Sequence, residues 1–156
     1  MTRILAIAGL ALAVLLLAEP AAAQQRFAGT WDVASGKPAP WASNPNDATD
    51  MAEAKRFIGQ RVTFAARAVT APRPLGCAHA TYDFRSAEAD TLFEGSLSED
   101  GRGHPANPVA VARTLGVMQK TVVGMTASCS EVEFFLVDPN TVLFGLNNWV
   151  FTLKRH

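Results

Sequence analysis

The last third of the chain alternates short apolar runs with turns, and this pattern limits the possible folds more than any other feature. Asp138-Pro139-Asn140 and Asn147-Asn148 both favour tight turns. A link of two residues allows the flanking strands to pair only as an antiparallel hairpin. We therefore predict that the final three strands form an antiparallel meander. The four apolar runs of this region are residues 121–127, 131–137, 141–146 and 149–154.

Four further strands and two short helices are predicted upstream. The strands are expected at residues 27–34, 60–67, 78–85 and 91–97. One helix is predicted over residues 50–58, with Asp50 as its cap and Gly59 beyond its end. The other helix begins at Asn107, has Pro108 at its first position and ends at Gly116.

This set of elements predicts a mainly β protein. Closing eight antiparallel strands into an up-and-down barrel removes the exposed sheet edges, so we expect such a barrel with two short helices. The alternative is a two-layer β-sandwich. Because residues 24–156 contain no internal repeat and no linker-like stretch, they are expected to form a single domain.

The N-terminal segment has the pattern of a secretory signal peptide. Arg3 precedes fifteen residues without a polar side chain, and Ala21-Ala22-Ala23 offers a small-residue cleavage site. The apolar run is shorter than the roughly 20 residues of a transmembrane helix. We expect residues 1–23 to be cleaved and Gln24 to become the N-terminus, with no membrane anchor left. The alanine-rich segment suggests a Gram-negative bacterium, and hence a periplasmic or secreted protein.

The cysteines and the charge balance fit this location. Cys77 and Cys129 are the only cysteines, and in an oxidising compartment such a pair is expected to form a disulfide. The formal net charge is zero, which argues against nucleic acid or an anionic membrane as a partner.

A short pattern at the mature N-terminus resembles a known family. Phe27-Ala28-Gly29-Thr30-Trp31 is similar to the Gly-x-Trp opening of lipocalins and the wider calycin group. The resemblance implies a β-barrel in which Trp31 closes one end and Arg155, after the last strand, packs across the indole. We expect Gly29 to be needed because a side chain there would crowd the Trp31 ring. Size and location also suggest the periplasmic lysozyme inhibitors, although their Ser-Gly-x-Gly-x-x-Tyr loop has no counterpart here.

No catalytic signature is found. The chain has no Gly-x-Ser-x-Gly elbow, no His-Glu-x-x-His pair and no P-loop. We therefore predict no catalytic residue, no metal and no cofactor. The candidate ligand-binding residues are Trp41, Arg61, His79 and Tyr82.

Together these observations predict an exported small-molecule-binding protein of calycin-like type. It would hold an apolar or amphipathic ligand in the mouth of the barrel. The alternative is a periplasmic interaction or inhibitor module that binds an envelope protein through loops 36–48 and 98–107. An enzyme without a recognisable motif is a third possibility.

Overall fold

The structure, a computed structural model, describes residues 18–156 of the chain. Residues 1–17, most of the predicted signal peptide, lie outside the described residues. Residues 18–23 belong to the first helix, α1 (Ala18–Phe27). None of the described helices is both long enough and apolar enough to cross a membrane.

The described residues form one strongly curled sheet of eight antiparallel strands, as the sequence predicts. The spatial order is β3-β2-β1-β8-β7-β6-β5-β4, so the first strand pairs with the last. The last three strands form the expected meander. The strands are β1 (Gly29–Pro38), β2 (Arg61–Ala65), β3 (Ala68–Thr70), β4 (Tyr82–Glu88), β5 (Thr121–Ala127), β6 (Glu133–Asp138), β7 (Thr141–Leu146) and β8 (Trp149–Arg155).

The two edge strands, β3 and β4, face each other across a seam. Val69 in β3 exchanges two backbone hydrogen bonds with Cys77, and Ala80 donates to the carbonyl of Arg67. Cys77 is disulfide-bonded to Cys129, with a Cα–Cα distance of 6.0 Å. The predicted cysteine pair thus fastens the seam to the link between β5 and β6.

The concave face of the sheet is filled by a packed core. Its largest side chains are fully buried. The rings of Phe144 in β7 and Phe151 in β8 are stacked, with their centres 4.9 Å apart. Phe134 contacts both Phe64 and Phe144. The other side chains with the least exposure here include Trp31, Phe27, Leu75, Met125 and Leu153. The interior is therefore a solid hydrophobic core.

A second core lies on the convex face of β5 to β8. Alternate residues of β6 point to opposite faces: Phe134 belongs to the inner core, whereas Phe135 belongs to the outer one. A 3₁₀ segment (Ala89–Ser98) and helix α3 (Pro108–Thr114) cover this outer face, together with a loop that includes Ala39 and Ala42. The remaining helix, α2 (Ala48–Phe57), packs Phe57 against Phe151 in the inner core.

Several predicted elements need correction. The strand expected at residues 91–97 is wrong: this region is the 3₁₀ segment, interrupted by left-handed backbone at Phe93, Glu94 and Gly95. The eighth strand is instead β3, which is not predicted from the sequence. Helix α2 is capped by Asp47, whose carboxylate accepts from Thr49 N and Asp50 N, and not by Asp50. Asn107 caps α3 as predicted, but the described residues contain three α-helices and the 3₁₀ segment instead of two helices.

Trp31 and Arg155 lie opposite each other where β1 meets β8. The guanidinium carbon is 4.1 Å from the centre of the indole ring. Arg155 also donates to the carbonyls of Arg26, Ala28 and Pro139. The predicted clash between a side chain at position 29 and the Trp31 ring is wrong, because a Cβ on Gly29 would meet Arg155 Nη1 at 3.3 Å and not the indole. Gly29 also has a φ of +115°, which L side chains rarely adopt.

Candidate functional site

A cleft of about 360 Å³ opens on the convex side of the sheet, and we call it the outer cleft. Its lining residues come from separate parts of the chain: a loop, the 3₁₀ segment, the start of β6 and the end of β7. Those that carry the chemistry are Trp41, Phe93, Glu94, Glu131, Phe135 and Gly145.

Three aromatic rings form one wall of the outer cleft. Trp41 and Phe93 have ring centres 5.2 Å apart, and Phe93 meets Phe135 edge to face at 5.0 Å. Phe93 is nearly buried, whereas Trp41 is half-buried and keeps part of its ring accessible. A Cβ on Gly145 would lie 2.9 Å from Phe93 Cδ1, so the glycine makes room for this ring.

An ion pair holds the 3₁₀ segment against the sheet. Arg85 Nε and Nη2 donate to the two carboxylate oxygens of Glu133 at 2.6 and 2.7 Å, and Nη2 also reaches the Thr91 carbonyl. The Glu133 hydrogen bond raises the pKa of Arg85. The pair crosses β5 at Gly124, where a Cβ would collide with the Glu133 carboxylate. Arg85 thus links β4, β6 and the segment that carries Phe93 and Glu94.

Unusual backbone conformations concentrate around the outer cleft. Three non-glycine residues in the described part of the chain have positive φ: Phe93 (50°), Glu94 (58°) and Asn147 (52°). All three line the outer cleft. For Phe93 and Glu94 such a conformation carries an energetic cost of about 1–3 kcal/mol and often occurs at functional sites, whereas Asn147 occupies a turn position that asparagine tolerates.

The hairpin between β7 and β8 is tied to helix α2. The Asn147 side-chain amide donates to Glu53, and that of Asn148 donates to Asp50 Oδ2 at 2.7 Å. These bonds fix the hairpin on which Asn147 borders the outer cleft.

The outer cleft has an acidic rim. Glu94 and Glu131 are exposed at its edge, and neither forms an ion pair with any residue in the range 18–156. Glu133 is neutralised by Arg85. Among the described residues, no Lys or Arg lines the outer cleft. The rim therefore carries two uncompensated negative charges beside an apolar wall.

The four predicted ligand-binding residues are not brought together. Trp41 lines the outer cleft, but Arg61 is exposed on β2 and pairs with Asp32 at 3.2 Å. His79 is exposed in the link that leads to β4. The Tyr82 hydroxyl lies 2.8 Å from the carbonyl oxygens of Ala65 and Ala68, so it bridges the seam, and burial raises its pKa.

Phe93, Glu94, Phe135 and Gly145 are not predicted from the sequence as members of one site. The strand predicted at residues 91–97 would not bring Phe93 to Trp41. The glycine at position 95 is the local sequence signal for a bend, and in the structure it has a φ of +81°. No cluster of His, Cys, Asp and Glu suited to a metal ion occurs in residues 18–156.

Comparison with protein-family models, with curated proteins and with solved structures gave no match.

Proposed function

We propose that this chain is an exported protein of calycin-like type that binds a small amphipathic molecule in the outer cleft. The observation that carries the proposal is the half-buried Trp41, which lies beside Phe93 at the edge of a cleft of about 360 Å³. Small-molecule sites are typically clefts of about 300–1,000 Å³. In the outer cleft an aromatic wall faces a lining that is otherwise largely polar, which suits an amphipathic molecule.

The packing of the sheet supports the convex face as the binding side. The concave face is occupied by Phe134, Phe144 and Phe151, each no more than 1% exposed. A ligand inside the sheet would have to displace these rings, and tightly packed cores resist such displacement. We therefore place the ligand in the outer cleft and not in the mouth of the barrel, where the sequence analysis expected it.

Three features support the calycin-like assignment and the export of the protein. The first strand pairs with the last, and Arg155 covers Trp31 where they meet. A disulfide is typical of an oxidising compartment such as the periplasm. Cleavage after Ala23 would leave Phe27, which is fully buried between Phe64 and Phe84, at the start of the mature chain.

The binding proposal is tested by analysing what the native protein carries. The protein is purified from the periplasm without denaturation, and small molecules released from it are identified by mass spectrometry. We expect a ligand with the wild type and with Trp149→Leu, and its loss with Trp41→Leu. Trp149 is a suitable control because it is also a half-buried tryptophan but does not line the outer cleft. Equal retention by both variants would contradict the proposal.

Intact mass of the same sample tests export. The expected mass corresponds to residues 24–156 with no lipid and with one disulfide. A mass that includes residues 1–23 would contradict cleavage.

A second candidate function is an interaction module, which an exposed apolar patch favours. Val109 and Met118 are 50% and 70% exposed and border a second cleft beside α3. Exposed apolar side chains that lie together often mark protein-binding surfaces. In this case Met118→Lys would weaken capture of an envelope partner, whereas Trp41→Leu would leave that capture unchanged.

A further inference from the structure

We propose that the ligand of the outer cleft is an organic cation, in which an ammonium group is attached to an apolar body. This inference rests on the proposed function and adds the chemical class of the ligand. It uses the juxtaposition of the accessible Trp41 ring with two carboxylates, Glu94 and Glu131, that have no cationic partner among residues 18–156.

The aromatic wall favours a cation. A positive group within about 6 Å of an indole face is attracted by the negative potential of the ring, and this attraction grows when water is excluded. Trp41 is held in place by Phe93, which in turn packs against Phe135 and Gly145. The wall is therefore preorganised, and its ordering does not have to be completed when the ligand binds.

The carboxylates also favour a positively charged ligand. Glu94 and Glu131 place two negative charges at the rim, while the charge of Glu133 is balanced by Arg85. A cleft with low-dielectric walls and charges of one sign concentrates ligands of the opposite sign. An anionic ligand is repelled, and a neutral one gains nothing from the rim.

The structure also explains how Glu94 is held at the rim. It lies in the left-handed stretch Phe93–Gly95, which kinks the 3₁₀ segment. Arg85 anchors the start of the same segment through the Thr91 carbonyl. The strained backbone at Glu94 thus follows an anchored residue, Thr91, and a packed one, Phe93, whose ring lies between those of Trp41 and Phe135.

The size of the outer cleft limits the apolar body. A volume of about 360 Å³ is near the lower end for ligand sites, which suits a single ring or a short alkyl chain next to the cationic group. Phenethylamine combines both parts. 2-Phenylethanol and 3-phenylpropionate have similar shapes but are neutral and negatively charged, respectively.

The test is a titration of the ¹⁵N-labelled mature protein with these three probes, followed through the tryptophan indole N–H signals. The Trp41 signal, assigned with Trp41→Phe, is expected to shift with phenethylamine. The Trp31 signal is the internal control, since this indole donates to the Phe27 carbonyl in the inner core. We expect phenethylamine to bind about tenfold more tightly than 2-phenylethanol, and 3-phenylpropionate to bind weakest.

Charge-removing variants complete the test. Glu94→Gln and Glu131→Gln are each expected to weaken phenethylamine binding by about three- to tenfold and to reduce its dependence on salt. Glu99→Gln is the matched control, because Glu99 is exposed and near in sequence but does not line the outer cleft. Both carboxylate variants leave Trp41 in place, so binding of 2-phenylethanol should not change.

The outcomes separate the two proposals. Equal affinity for phenethylamine and 2-phenylethanol at Trp41 would overturn the cation proposal and leave the outer cleft as a binding site. A preference for 3-phenylpropionate would do the same. If no probe shifts the Trp41 signal while a co-purified ligand depends on Trp41, the cation proposal fails alone. If no probe shifts the Trp41 signal and no co-purified ligand depends on Trp41, both proposals fail.

Discussion

Arg155 and Trp31 provide the most quantitative test of how the first strand, β1, is joined to the last strand, β8. Trp31 is fully buried and its indole donates to the Phe27 carbonyl at 2.8 Å, so Trp31→Ala should lower the free energy of unfolding by about 3–5 kcal/mol. Arg155→Ala removes one cation–π contact at 4.1 Å and three hydrogen bonds to carbonyls at the surface. Because Arg155 is exposed and water competes for these contacts, together they should contribute about 2 kcal/mol to the free energy of unfolding.

The two residues should also be coupled. Because the guanidinium lies on the indole, Arg155→Ala should cost about 1 kcal/mol less when Trp31 is already alanine. The assay is urea unfolding of the two single variants and the double variant, followed by circular dichroism. Arg61→Ala is the control, since Arg61 is exposed and pairs with Asp32, and its effect should be additive with Trp31→Ala. Additivity for Arg155 as well would refute the contact.

Three further perturbations test other parts of the structure. Replacing Cys77 and Cys129 together with serine should lower the free energy of unfolding by about 4 kcal/mol, given their separation of 52 residues, and wild type in reductant should match the variant in urea unfolding. The pKa of Asp32 is lowered, chiefly by its hydrogen bond with His156, so its stabilising effect is present above the unfolded-state pKa and is lost as pH falls through the folded-state pKa. The free energy of unfolding of Asp32→Asn should therefore fall less than that of wild type between about pH 5 and 2. Parallel curves of unfolding free energy against pH would contradict a stabilising pair between Asp32 and His156. Gly145→Ala should cost about 1–3 kcal/mol because its Cβ crowds Phe93, and the same substitution should cost much less in a Phe93→Leu background, whereas an equal cost in both backgrounds would show that the ring is not the cause.

The sequence predicted the parts of the fold that depend on local signals. The hairpin at Asn147-Asn148 follows from residues that tolerate positive φ, and Asn147 has a φ of 52° there. The same holds for helix α3, because the cap at Asn107 and the positive φ of Gly116 are local choices. Both features could be found without knowledge of the rest of the chain.

The errors arose where distant contacts determine the local structure. Residues 91–97 have the apolar content of a strand, yet they form a bent segment. Its side chains Leu92, Phe93 and Leu97 are buried in the outer core, and the sheet has eight strands without it. Strand β3 has three residues and is held by pairing with β2 and by the bridge from Val69 to Cys77. Neither arrangement has a periodic pattern in the sequence.

The outer cleft was predicted only in part for the same reason. Trp41 is predictable as a candidate because an indole in a proline-rich loop either covers the core or lines a ligand mouth. Its partners Phe93, Glu131 and Gly145 lie far along the chain, and their meeting depends on the order of the strands. The alternation along β6, which buries Phe134 inside and Phe135 outside, shows that this sheet is covered on both faces. A continuous apolar run such as residues 134–137 is a sign of such burial.

The most direct test of ligand binding on the convex face is a crystal structure of the protein purified without denaturation. We expect ligand density in the outer cleft, against the Trp41 ring and within reach of Glu94 or Glu131. The inner core of Phe134, Phe144 and Phe151 should be unchanged. Density for a ligand on the concave face, with these rings displaced and the outer cleft empty, would contradict the proposed binding site.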